Sequence, residues 1–213
     1  MLYQVNVQDL KFNKIMSKEI NSSEYIIDKK ETIYNGKHSS IDAVNISIGK
    51  HEVPLLRKKH IGYKADFMSG PGWHSFLKEK GYPVFSTWRY DKKEGIDFIT
   101  DLRRGGTHKV IDFCGHSDNY KKIFISNFKD LNDKAEILLS KLTDDGIIIN
   151  EPNIFFDVEI STGISRIILG DLREMGYESE AETISKNQRL VHNKMIIDGH
   201  MNRLKNIMLE KAK

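Results

Sequence analysis

Ser69-Gly70-Pro71-Gly72 is the stretch whose residue types and spacing best suit a chemical task. Glycines without a Cβ let backbone come close to a ligand, and a helix that starts just after them turns its free N–H groups toward that ligand. Two basic clusters, Arg57-Lys58-Lys59-His60 and Arg103-Arg104 with His108-Lys109, carry the charge for phosphate contacts. Trp73, Trp88 and Tyr90 offer rings on which a base can stack. His116, in C-G-H-S-D-N, is a candidate general base. Each has a plainer alternative: an ordinary βα turn, solvated lysines, core tryptophans and an incidental loop histidine.

The elements that must position these groups follow from the pattern of apolar residues. Ala65 to Met68 reads as a short strand, Trp73 to Lys80 as a helix stopped by Gly81, and Pro83 to Trp88 as a second strand. Together they form a βαβ unit with the glycine turn at its ligand edge. Ile41 to Ile48 alternates as a half-buried strand, Ile96 to Asp101 reads as a third central strand, and Lys122 to Phe128 as another. Leu131, Ala135, Leu138, Leu139 and Leu142 recur at helical spacing between Asp130 and Leu142, and Asp145-Gly146 ends that helix. Ile147 to Ile149 make a buried β run. Ser165 to Met175 reads as a helix, Tyr177 to Ile184 and Leu190 to Ile197 as a strand pair, and Met201 to Ala212 as a closing helix.

Composition narrows the class. The chain has 213 residues, 39% of them hydrophobic, enough for one sizeable core. Thirty-three Lys+Arg against 30 Asp+Glu leave a net charge of +3, so attraction to a polyanion would have to come from local clusters. The single cysteine, Cys114, excludes an internal disulfide and a Cys-based zinc site, and no metal is expected. The first residues are too polar for a signal peptide, and no apolar run approaches the roughly 20 residues of a membrane span. The expectation is a soluble, cytoplasmic protein with no membrane partner, its residues 1–40 forming an arm or small subdomain and 41–213 the main domain.

In this order and spacing the chain resembles the class I S-adenosylmethionine-dependent methyltransferases, nearest the viral and ribosomal RNA 2'-O-methyltransferase branch. The resemblance spans about Lys64 to Ile197 and rests on Asp66 to Trp73, Val84 to Asp91, Phe98 to Asp101, Ile123 to Phe128, and A-E-I-L-L-S-K-L-T-D-D-G-I-I-I-N-E-P with the final strand pair. It implies a Rossmann-like α/β fold: an open, mainly parallel sheet with helices on both faces and a C-terminal antiparallel strand pair. It implies S-adenosylmethionine as cofactor and RNA or a nucleotide-like molecule as acceptor. Ser69, Gly70, Pro71 and Gly72 would hold the methionine part, Asp91 the ribose hydroxyls and Asp101 the adenine amino group. Of that branch's Lys-Asp-Lys-Glu set, Lys64 matches the first member and Glu182 the last, while Asn127 stands where the branch carries Asp and Asn150-Glu151 where it carries Lys. Arg57, Lys58, Lys59, Arg103 and Arg104 would contact the acceptor.

Other segments point elsewhere. G-Y-P-V-F-S-T-W resembles a strand of the nucleoside 2-deoxyribosyltransferases, which would make Glu159 a glycosidic nucleophile. F-F-D-V-E-I-S-T-G-I-S resembles a phosphoribosyltransferase loop, in which the acids would bind ribose hydroxyls and Thr162-Gly163 would cradle a phosphate. A methyltransferase-like fold without activity, serving as an RNA-binding or interaction module, is the third expectation. His192-Asn193-Lys194 with Asp198 matches the His-Lys-Asp phosphodiesterase signature in part only, since Asp falls one residue early and no second copy exists.

Overall fold

The computed structural model describes residues 25–37, 39–48, 51–60, 76–85, 87–91, 96–100, 107–113, 122–170, 176–177 and 184–209. The contacts divide the chain into two units, Met1–Gly62 with Ser86–Asp101, and Tyr63–Phe85 with Leu102–Lys213.

The first unit holds one five-stranded sheet. Its strands are β1 (Tyr25–Asn35), β2 (Ser39–Ile48), β3 (His51–His60), β4 (Thr87–Asp91) and β5 (Ile96–Thr100), in the order β1-β2-β3-β5-β4 with every neighbouring pair antiparallel. Val44, Ile46 and Leu55 are fully buried and form its apolar side. Asp42 is buried with them, its carboxylate accepting from Arg57 Nη2 at 2.6 Å and Thr32 Oγ1 at 3.0 Å. β1 lies in the stretch expected to form an arm or small subdomain. Its register with β2 shifts between Lys29 and Glu31 and again between Thr32 and Tyr34. Each shift resets the two-residue alternation by which a strand is recognised.

The second unit is built on a three-stranded antiparallel sheet of β6 (His108–Asp112), β9 (Ile154–Glu159) and β10 (Ser165–Leu169), ordered β10-β9-β6. Short strands flank it: β7 (Ile123–Phe124) beside β12 (Met208–Leu209), and β8 (Ile147–Ile148) beside β11 (Gly176–Tyr177). Two helices, α1 (Phe128–Asp144) and α2 (Lys186–Ile207), pack on each other, and α1 also meets β10. Leu131, Ala135, Leu138, Leu139 and Leu142 of α1, Ile111, Phe156, Val158 and Leu169 of the sheet, and Ile196, Ile197, Met201 and Leu204 of α2 share one core. Each large apolar side chain so buried contributes about 1.5–3 kcal/mol.

This architecture overturns the Rossmann-like expectation. The large sheet and the three-stranded sheet are wholly antiparallel, and parallel pairing among the described residues is confined to β7 with β12 and a bridge between Val84 and Leu169. Three segments account for the difference. Ser165–Leu169, read as helix, is a strand because Ile167, Ile168 and Leu169 continue a hairpin with β9. Leu190 to Ile197, read as half of a C-terminal strand pair, lies inside α2, which begins at a capping box: Gln188 N donates to Ser185 Oγ at 3.3 Å and Ser185 N donates to Gln188 Oε1 at 2.8 Å. Ile96–Thr100, read as a parallel strand, runs antiparallel between β3 and β4.

The β9–β10 turn needs its glycine. Gly163 has φ of 68°, and a Cβ there would fall 2.5 Å from Cδ1 of Phe124. Gly163→Ala is expected to lower the stability of the second unit by about 2 kcal/mol, through left-handed strain and displacement of the Phe124 ring. Loss of helix signal in urea, followed by circular dichroism at 222 nm, measures it; an unchanged midpoint would show that the turn relaxes freely.

Candidate functional site

Strand alternation gives the three-stranded sheet two unlike faces. Ile154, Phe156 and Val158 of β9 point into the core with Ile111 and Ile167. On the opposite face β9 carries Phe155, Asp157 and Glu159. The register sets Val110 and Arg166 on either side of Asp157, and His108 beside Glu159. Asp157 is 1% exposed, yet it is a carboxylate on a strand otherwise rich in apolar residues. Its two oxygens are taken by two different partners: Oδ1 lies 2.9 Å from His108 Nδ1, and Oδ2 accepts from Arg166 Nε at 2.7 Å.

The chemistry of this row follows from who can donate. A carboxylate only accepts, so His108 Nδ1 carries the proton and Nε2 holds the lone pair whenever the ring is neutral. This is the arrangement by which a buried acid orients an imidazole toward a hydroxyl. Arg166 uses Nε on Asp157, its side chain is 45% exposed, and its remaining N–H groups form the planar fork suited to an anionic oxygen. Next along β9, half-buried Phe155 lies edge-on to Phe85 with ring centroids 5.3 Å apart.

A second set of polar contacts holds the chain around this sheet. Asn153 is fully buried in a one-turn helix at Glu151–Asn153; its Oδ1 accepts from Asn150 N at 2.7 Å and its Nδ2 donates to Gly170 O at 3.2 Å. Gly170 N donates to Asn153 O, and a Cβ on Gly170 would meet the rings of Phe155 and Phe85 at 2.7 Å. Asn193 of α2, also fully buried, accepts from Ile149 N at 3.1 Å and donates to Ile147 O at 2.8 Å.

Several residues expected from the sequence to form a site lie outside the described residues: Lys64, Ser69, Gly70, Pro71, Gly72, Asp101, Arg103, Arg104, His116 and Glu182. Asp91, Trp88 and Tyr90 are on β4, where only their backbone is described. Arg57, Lys58 and Lys59 lie on β3; Arg57 is bound to Asp42, Lys58 is buried and Lys59 is exposed. Asn127 works as a backbone clamp at the start of α1, its Oδ1 accepting from Ser165 N at 2.8 Å and its Nδ2 donating to Ser165 O at 2.9 Å. Glu159 accepts from Thr162 Oγ1 at 2.8 Å, which closes the hairpin turn. Arg166 was not singled out from the sequence, Asp157 entered only as an acid of the phosphoribosyltransferase-like segment, and His108 only as part of a basic cluster. The available signal was an aspartate set between apolar neighbours in F-F-D-V. No group of three or more His, Cys, Asp or Glu side chains among the described residues is placed to hold a metal ion. No described helix is long and apolar enough to cross a membrane.

No family model matches this chain, and no curated protein matches it. Among solved structures it is similar to Cex1p, with 13% identity and a TM-score of 0.35 over 85% of this chain, which spans 32% of the Cex1p chain. It is also similar to the choline kinase LicA from Streptococcus pneumoniae, with 10% identity and a TM-score of 0.32, over 94% of this chain and 86% of that one. Neither likeness is close enough to assign a fold.

Proposed function

We propose that the second unit binds a nucleotide-like ligand on the Asp157-bearing face of the β10-β9-β6 sheet, with Arg166 meeting an anionic group and His108 Nε2 facing a hydroxyl. The supporting observation is the Asp157 carboxylate, buried and divided between these two side chains. A buried ion pair generally gives a fold no more stability than apolar residues of the same volume. A polar row across three strands, with a buried carboxylate at its centre, is therefore better accounted for by what it binds than by what it holds together. Phe155 supplies an aromatic surface beside the row, as a base requires.

Methyl transfer from S-adenosylmethionine to RNA or a nucleotide-like acceptor shares this ligand class, but its proposed cofactor turn lies outside the described residues, so it enters as one branch of the same test. Calorimetric titration of the full chain with ATP, AMP, S-adenosylhomocysteine and a short single-stranded RNA separates the branches. Binding of a nucleotide in the micromolar range is expected, weakened about tenfold by His108→Gln, the loss typical of one hydrogen bond to a charged or strongly polar partner. Tight binding of S-adenosylhomocysteine, unaffected by that substitution, would place the ligand elsewhere and favour methyl transfer. Silence toward all four at high micromolar concentration would end the proposal.

A further inference from the structure

His200 has no part in the row just described. It projects from α2 with its side chain 1% exposed, and neither ring nitrogen has a hydrogen-bond partner among the described residues. The ring lies tilted against Phe113, centroid to centroid 5.9 Å, next to the core residues Ile196, Ile197, Met201 and Leu204 of its own helix. The charged groups that bear on it are Arg203 on α2, Glu151 in the one-turn helix and Asp112 on β6. Arg203 is itself committed, donating to Glu151 Oε1 and to Phe113 O at 3.1 Å each.

A neutral imidazole leaves one donor and one acceptor unanswered here. An imidazolium would leave two donors unanswered beside the like charge of Arg203. The Glu151 carbonyl lies close enough to favour a charged ring but does not meet hydrogen-bond geometry. Burial, reinforced by Arg203, pushes the imidazole below its ordinary value of 6.5, while Glu151 and Asp112 pull weakly the other way.

We propose that His200 is an acid-sensitive latch whose protonation loosens α2 from Phe113, the residue after β6, and from the segment Ile147–Asn153. That segment is held to α2 by Asn193, by the 2.9 Å contact of His192 Nε2 with Ile149 O, and by the Arg203–Glu151 pair. Its last residue, Asn153, bonds Gly170 at the end of β10, so a released helix also loosens the strand that carries Arg166. The inference rests on the packing of α2 and stands whether or not a nucleotide binds the sheet.

The sign follows from linkage. A histidine whose folded value is lowered contributes stability that is complete above about 6.5 and is lost as pH falls through the folded value, because there the unfolded chain takes up the proton first. The unfolding constant of the second unit is expected to rise up to about tenfold per pH unit in that window. Hydrogen exchange on the full chain at pH 7.5 and 5.5, corrected for intrinsic rates, is expected to show α2 and residues 147–153 losing protection together at the lower pH. In His200→Phe, which fills the space without titrating, the difference disappears. Equal protection of the wild-type chain at both pH values, or an equal loss in the variant, would overturn the latch. Should the variant not fold, deuteration of the His200 ring carbon across pH in the wild-type chain decides: a midpoint at or above 6.5 overturns the proposal, and one below it supports it.

Discussion

Asn193→Ala is expected to lower the stability of the second unit by about 3–5 kcal/mol, the sum of two stranded backbone groups and a small cavity. The side chain is fully buried and answers both the N–H of Ile149 and the carbonyl of Ile147, residues that are themselves buried. Short strand β8 pairs with β11 over only two residues, so Asn193 does for this segment what a longer ladder does elsewhere. Asn193→Leu separates the causes. It restores volume but no hydrogen bond, and a loss nearly as large as that of alanine would assign the effect to the unanswered N–H and carbonyl. A urea midpoint within experimental error of wild type for either variant would mean that water or the backbone replaces the amide.

Arg166→Met is expected to cost about 3 kcal/mol, near the lower end of the range for breaking a buried ion pair, because Asp157 is buried while Arg166 is 45% exposed. The variant leaves a carboxylate inside the fold that, among the described residues, only His108 then meets. Asp157→Asn removes the charge and keeps the shape, so its loss is expected to be smaller, about 1–2 kcal/mol. The double variant then resembles Asp157→Asn alone, since nothing charged remains for Arg166 to neutralise. Additive losses would show that the two side chains act independently, and would also remove the reason for reading the row as a unit. Circular dichroism in urea reports both predictions, since α1 and α2 belong to the same unit as the mutated residues.

What the sequence revealed depended on how well each element's period survived. α1 was legible because five apolar residues at helical spacing all turn to the core, and β2 because I-D-A-V-N-I-S-I alternates well enough for a strand, although Ala43 is buried on the face opposite Val44 and Ile46. α2 was not, because Leu190, Val191 and Met195 are exposed while Ile196 and Ile197 are buried, which spreads apolar residues around the helix and mimics a β run. Strand direction leaves no trace in a hydrophobic pattern, so strands with helices set between some of them passed for a βαβ array. The candidate site was hidden for a related reason. His108 and Asp157 are 49 positions apart and meet only through the register of β6 on β9.

The two register shifts in β1 also bear on how the molecule behaves in company. Among the described residues β1 is a border strand of the large sheet, with 11 residues whose outward backbone groups would otherwise offer a template for another chain. The bulges twist that border out of the regular spacing a second strand would need. Exposed Asp28, Lys30 and Glu31 place charge along it, with Lys30 bonded to Asp28. The irregularity that obscures the strand in the sequence is thus also one that breaks the even spacing an added strand would have to match.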